Sequence, residues 1–152
     1  MKLAAREVAA DDRAELVRMY ALLAAEMTAL DDLWPHTRGI TGEPGSGLLE
    51  RAVSPDRFVR MGTIDDVPVG FCTAAVAEAD DGTTVGLIEF IFTEEPARGV
   101  GIGDVMLEAV LAELRARGET RFDVRVPPGH RAAKNFFEQH GFSARSITMH
   151  HS

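Results

Sequence analysis

The sequence predicts an α/β or α+β sandwich, with helices packed on one central sheet. Three observations lead there. Two apolar runs flank Asp65 and Asp66 in the pattern of a hairpin, and a third run follows the turn "DDGTT" at 80–84. Segments with apolar residues at helical spacing stand on both sides of these strands. The whole chain is 152 residues, enough for one layered core and short for two, so residues 1–152 read as a single domain.

Each element follows in order. "KLAAREVA" at 2–9 reads as a short strand. Residues 11–30 read as a helix with Asp11 or Asp12 as its cap, because Leu16, Tyr20, Leu23, Met27 and Leu30 recur at helical spacing. "DDLWPHTRGITGEPGSG" at 31–47 is a long loop rich in glycine and proline, a kind of segment that is often functional in a compact domain. "LLERAV" at 48–53 reads as a short helix. "FVRMGTI" and "VPVGFCTAAVA" form the hairpin, and "VGLIEFIFT" is a third strand, apolar on both faces. Gly101 to Arg117 is a helix with Val105, Leu107, Val110, Leu111 and Leu114 available for burial, and Gly118 ends it. "RFDVRV" is a further strand, "PPGH" a turn, "RAAKNFFEQH" a helix stopped by Gly141, and "FSARSITMHH" a closing strand.

Composition excludes some function classes. The net charge of −8 argues against a general nucleic-acid binder. No apolar run approaches the roughly 20 residues that cross a bilayer. No secretory signal pattern stands at the N-terminus, and the single cysteine, Cys72, has no partner for an internal disulfide. We therefore expect a cytoplasmic protein without a metal site. The charge is uneven. Residues 1–97 hold 18 acids and 8 bases, whereas residues 98–152 hold 6 acids and 8 bases. Such a chain suits an anionic ligand on its C-terminal part and a cation on the rest. The acids would equally serve solubility alone.

"EEPARGVGIGDVMLEAV" carries the strongest motif. Three glycines, Gly99, Gly101 and Gly103, fall within five residues between an apolar strand and a helix. The first turn of a helix has unpartnered amides and a positive dipole end, which together bind phosphate. Glycine lets backbone approach an anion closely. The stretch has the chemistry of a pyrophosphate cradle, with Arg98 as a charged contact. A Walker loop would need Lys then Ser or Thr where Asp104 and Val105 stand. A dinucleotide fingerprint would need a different glycine spacing and an earlier position. A plain glycine turn remains the alternative.

"IEFIFTEEPARGVGIGDVML", followed by "HRAAKNFFEQHGF", resembles the GCN5-related N-acetyltransferase (GNAT) family. Arg98, Gly101 and Gly103 fill the family's Arg/Gln-x-x-Gly-x-Gly/Ala motif, and the second block is similar to its N-x-x-A-x-x-F-Y-x-x-x-G-F segment. The resemblance covers about Val67 to Phe142. It implies a mixed, mostly antiparallel sheet with a splayed V between its two middle strands, and acetyl-CoA lying in that V. It further implies that the backbone of Ile91, Phe92 and Thr93 pairs with the pantetheine arm. The amides of Gly99, Val100, Gly101, Ile102, Gly103 and Asp104 would hold the pyrophosphate, with His130 and Phe137 flanking the cofactor.

The reaction implied is direct acetyl transfer from acetyl-CoA to a primary amine, with a small cationic amine expected. The amine must lose a proton before it attacks. The thioester oxygen gains charge that a backbone amide near Phe92 or Thr93 would stabilise. Glu89 is the candidate base or amine anchor, a carboxylate inside "LIEFIF", and the family's small-amine acetyltransferases carry a functional glutamate there. A strand-edge residue paired with an arginine is the competing reading. Asp31, Asp32 and Trp34, with His36, are candidates for the acceptor pocket. His130 departs from the family's asparagine and reads either as a contact to the cofactor arm or as a helix cap. Phe137 departs from its usual tyrosine and cannot donate a proton. His140 and Cys72 are substitutes for that acid, though a helix-end cap and a buried core residue are their plainer roles. The alternatives to a small-amine enzyme are a protein amino-group acetyltransferase and a non-catalytic acyl-CoA-binding regulatory module. A homodimer is common in the family, and the composition does not address it.

Overall fold

The computed structural model describes residues 1–34, 54–127 and 129–152. The elements are β1 (Leu3–Glu7), α1 (Arg13–Leu30), β2 (Arg57–Ile64), β3 (Val67–Glu78), β4 (Thr84–Thr93), α2 (Ile102–Ala116), β5 (Phe122–Val124) and α3 (Arg131–Gln139). Two 3-10 turns, Ala10–Asp12 and Glu95–Ala97, lead into α1 and α2. The expected helix at 48–53 lies outside the described residues.

The strands form one mixed sheet in the order β1-β2-β3-β4-β5. The first three pairings are antiparallel and β4–β5 is parallel. The β2–β3 turn is two residues, Asp65 and Asp66, both at positive φ (50° and 68°), as a tight hairpin matched to strand twist requires.

One helix layer covers each face. α1 places Leu16, Met19, Tyr20 and Leu23 against Val59, Met61, Phe71, Phe90 and Phe92. α2 places Ile102, Met106, Leu107, Val110 and Leu114 against Phe58, Cys72, Ala74 and Ile88. Apolar spacing in both helices thus becomes two cores separated by the sheet. α3 joins the second core through Phe137.

Register explains how β4 serves both cores. Thr73 opposes Phe90 and the next residue, Ala74, opposes Ile88, so Glu89 is the extra residue of a β-bulge. Before the bulge Ile88 packs under α2; after it Phe90 and Phe92 pack under α1. The Thr73 hydroxyl accepts the Phe90 N–H at 3.0 Å, which holds the irregular turn of backbone in place.

Three expectations change. Asp12 occupies the N-cap position of α1 but makes no side-chain cap bond to that helix. Its carboxylate instead accepts from Arg6 at 2.8 and 2.9 Å and from the Ala9 amide at 2.8 Å, fixing β1 to α1. The β5 strand spans three residues rather than six. The closing strand does not form: residues 142–152 adopt no regular element, and Ile147 and Met149 are exposed. Arg145 pairs with Asp123 of β5 at 2.9 Å, but no residue of this segment joins the sheet.

Candidate active site

β4 and β5 pair only at Gly86, Leu87 and Ile88. Beyond Ile88 the two strands part, while β4 keeps its β3 partner through Thr93. The β5 side of β4 is therefore open from Glu89 onward. Backbone groups alternate sides along a strand. The Glu94 amide donates to Val69 on β3 at 2.8 Å, so Phe92 also turns its backbone groups toward β3. Ile91 and Thr93 turn theirs toward the opening. Of the three residues expected beside the pantetheine arm, Ile91 and Thr93 turn backbone toward the opening and Phe92 turns toward β3.

The opening leads to the start of α2. A cleft of 290 Å³ is lined by Thr93, Arg98, Gly99, Gly101, Ile102, Gly103, Asp104 and Phe136. Gly101 is the N-cap of α2 at φ 98°, with no side-chain cap bond, and Gly99 is at φ 86°. These left-handed angles suit glycine and turn successive amides into one cleft. The first-turn amides of α2 have no acceptor inside the helix. An uncapped helix start facing a cleft beside an open strand edge fits a pyrophosphate with an extended amide arm, so the residues present fit acetyl-CoA.

Arg98 lines this cleft with its guanidinium already engaged. Its Nε donates to the Thr93 carbonyl at 2.8 Å and its Nη2 to Glu26 of α1 at 2.8 Å, with the guanidinium over the Phe92 ring. It braces the loop against β4 and α1. One acceptor of the open edge, the Thr93 carbonyl, is thereby already engaged.

Two other residues take defined places. Phe137 is 3% exposed and lies in the α2 core beside Phe136 and Phe142, so it does not line the cleft; Phe136, one residue earlier, does. His130 is the N-cap of α3, its Nδ1 accepting the Ala133 amide at 3.4 Å, so a contact to the cofactor arm would fall to Nε2. Cys72 is fully buried under α2, and burial pushes its thiol pKa up, which makes it a poor proton donor near neutral pH.

On the α1 face, the Glu89 side chain is 2% exposed, and its Oε1 stands 3.7 Å from Arg57 Nε. That separation exceeds a hydrogen bond, so the two interact by charge. Tyr20 and Trp34 meet the Phe90 ring edge-on at 5.4 and 6.1 Å. Trp34 is buried in the core, and the Asp31 carboxylate accepts the Leu33 amide at 3.0 Å, closing the turn after α1. Asp32 is exposed. His36 lies outside the described residues. Reading the sequence missed Arg57, which β2 register places on the α1 face with Val59. It also missed the contact of His140 Nε2 with the Asp104 carboxylate, 2.7 Å long, on the cleft rim. Among the described residues no group of three or more His, Cys, Asp or Glu is placed to hold a metal, and no helix is long and apolar enough to cross a membrane.

No curated protein matches the chain. Solved structures share its fold. A tetramutant of the BH1408 protein from Bacillus halodurans superposes with a TM-score of 0.81 at 17% identity, covering 100% of this chain and 99% of that one. A ribosomal-protein-alanine N-acetyltransferase from Brucella melitensis biovar Abortus 2308 gives 0.74 at 15%, covering 100% and 99%. AAC(6')-Iy, in complex with the bisubstrate analog CoA-S-monomethyl-acetylneamine, gives 0.72 at 15%, covering 100% and 98%. The model of the acetyltransferase (GNAT) family matches residues 16–142. With that match spanning β2 to β5, the open β4 edge and the glycine cradle, the chain belongs to the GNAT acetyltransferase family.

Proposed function

We propose that this single-domain protein transfers an acetyl group directly from acetyl-CoA to the primary amine of a small cationic molecule. The observation that carries the reading is the parting of β4 from β5 directly above the uncapped start of α2. AAC(6')-Iy, a structural neighbour, is bound to a CoA analog of acetylneamine, which supports the substrate class.

When bound, acetyl-CoA supplies a thioester whose carbonyl is attacked by the amine. The chain's own residues hold it and handle the proton. Amides from Gly99 to Asp104 receive the pyrophosphate, and Ile91 and Thr93 offer backbone groups to the pantetheine arm. The Ile91 or Thr93 amide is the donor for the developing oxyanion, a role the Phe92 amide cannot share because it faces β3. Glu89 takes the proton from the cationic amine, directly or through one water. The Arg57 guanidinium stands 3.7 Å from the Glu89 carboxylate, and a carboxylate there would also anchor a cationic amine. The second proton that the nitrogen loses, and the one that the departing thiolate takes up, would be exchanged through solvent, since Phe137 has no hydroxyl.

Titration calorimetry with acetyl-CoA, followed by an amine panel on wild type and Glu89→Gln, tests the reading. Binding plus turnover that Glu89→Gln abolishes supports it. A folded protein that does not bind acetyl-CoA refutes it. A second reading, a non-catalytic acyl-CoA-binding module, is favoured by one observation: the buried phenylalanine at 137. Binding without turnover of any amine, protein amino groups included, would select that reading.

A further inference from the structure

Asp104 sits oddly for its place. It is in the first turn of α2, its side chain is 53% exposed, and it lines the same cleft as the glycines. A carboxylate there is favourable to an empty helix start. It is a like charge to any phosphate that takes the same amides.

The structure supplies an opposite charge from another element. His140, at the C-terminal cap of α3, directs Nε2 to Asp104 Oδ1 at 2.7 Å. Its side chain is 17% exposed, and its ring lies 4.9 Å from Phe136, which itself lines the cleft. The other charges nearby are committed or turned away. Glu138 of α3 pairs with Lys134 at 2.8 Å. Arg98 is bonded to Thr93 and Glu26, and Glu108, one turn further along α2, is exposed. Among the described residues, His140 is the one basic side chain paired with Asp104.

We propose that His140 and Asp104 form a charge couple on the rim of the cofactor cleft, in which the imidazolium offsets a carboxylate that otherwise repels the cofactor's phosphates. The proposal rests on the acetyl-CoA reading above. A neutral imidazole keeps a hydrogen bond to Asp104 but leaves its charge in place. Cofactor affinity then falls as pH rises through the interval where histidine loses its proton. By linkage, bound cofactor must also favour the protonated ring.

The test is calorimetric titration with acetyl-CoA at about pH 6 and about pH 8.5, either side of the histidine range, on wild type, Asp104→Asn, His140→Gln and the double variant. Wild type should weaken on the order of tenfold between the two pH values, a usual size for such coupling. Asp104→Asn should bind more tightly than wild type at the higher pH. His140→Gln should bind weakly at both, and adding Asp104→Asn should restore what it lost. The cofactor's own phosphate titrates in the same interval in all four proteins, so differences between variants isolate the couple. Independently, the ring-proton NMR titration of His140 should move to higher pH when acetyl-CoA is added. His140→Gln binding like wild type at the lower pH, or a double variant that recovers nothing, overturns the couple while leaving the cofactor site standing. Failure of every variant to bind at either pH overturns the cofactor reading and the couple together.

Discussion

Gly101→Ala separates backbone strain from cofactor binding. Gly101 has φ 98°, and an added Cβ would meet nothing closer than Leu3 Cδ1 at 3.7 Å and the Asp104 carboxylate at 3.8 Å. Space is therefore available and the cost is conformational, about 1–3 kcal/mol for a non-glycine residue held at such an angle. If the loop relaxes to relieve that strain, the first-turn amides no longer converge. Losing one hydrogen bond to a charged group, worth about 1.5–3 kcal/mol, weakens binding by about 10- to 100-fold. Gly82 is the control. It lies in the β3–β4 turn at φ 83°, with nothing within 4 Å of an added Cβ. Gly82→Ala should lose similar stability in urea denaturation and keep its acetyl-CoA affinity. Gly101→Ala should lose both. If the two variants are equally destabilised and both bind acetyl-CoA as wild type does, the left-handed turn is not what holds the cofactor.

Further outcomes follow from the same geometry. Glu89→Gln should lower kcat by at least about 100-fold, the lower end for a lost general base, with the acetyl-CoA dissociation constant unchanged by calorimetry; equal kcat in the two proteins would remove Glu89 from the chemistry. Phe137→Tyr should cost about 1–3 kcal/mol, because its hydroxyl would enter a core position without a partner; an unchanged melting temperature would show that the ring opens on the cleft. Asp12→Ala should cost about 1–3 kcal/mol by deleting charge-assisted bonds to Arg6 and the bond to Ala9. The Arg6 hydrogen bond holds the Asp12 carboxyl below its ordinary range, so this stability is present above the unfolded carboxylate pKa and fades as pH falls through the lower folded value. A wild-type-minus-variant stability difference that persists at the lowest pH would contradict that. Cys72 should react with thiol reagents only on unfolding, and rapid labelling of the native protein would contradict its burial.

Local pattern carried most of the fold. Alternation, helical spacing and turn residues located β1, α1, the β2–β3 hairpin, β4, α2 and α3, because each is a property of a few neighbouring residues. What depended on distant partners was less legible. Phe136 and Phe137 are adjacent, and which ring is buried is set by how α3 sits on the sheet. Asp104 and His140 are 36 residues apart and meet only because α2 and α3 share one face. Arg57 reached Glu89 through strand register across β2, β3 and β4. The "FSARSITMHH" segment has strand-like residues, but propensity alone does not form a strand whose apolar residues, Ile147 and Met149, stay exposed.

The bulge at Glu89 ties these observations to function. In a regular strand, Glu89 would share a face with Ile91 and Leu87, and Phe90 would follow Ile88 under α2. One extra residue exchanges the faces, so β4 enters under α2 and leaves under α1. The same irregularity coincides with the last β4–β5 pair, at Ile88. A single bulge therefore has two effects. It brings Phe90 onto the α1 face beside Glu89, whose carboxylate stands 3.7 Å from Arg57, and it coincides with the point where β4 loses β5. Under the proposed reaction, a carboxylate at the point where a strand changes faces and loses its partner would stand between the two substrates. That juxtaposition makes Glu89, rather than the more exposed acids of the N-terminal part, the residue on which the acetyl-transfer proposal depends.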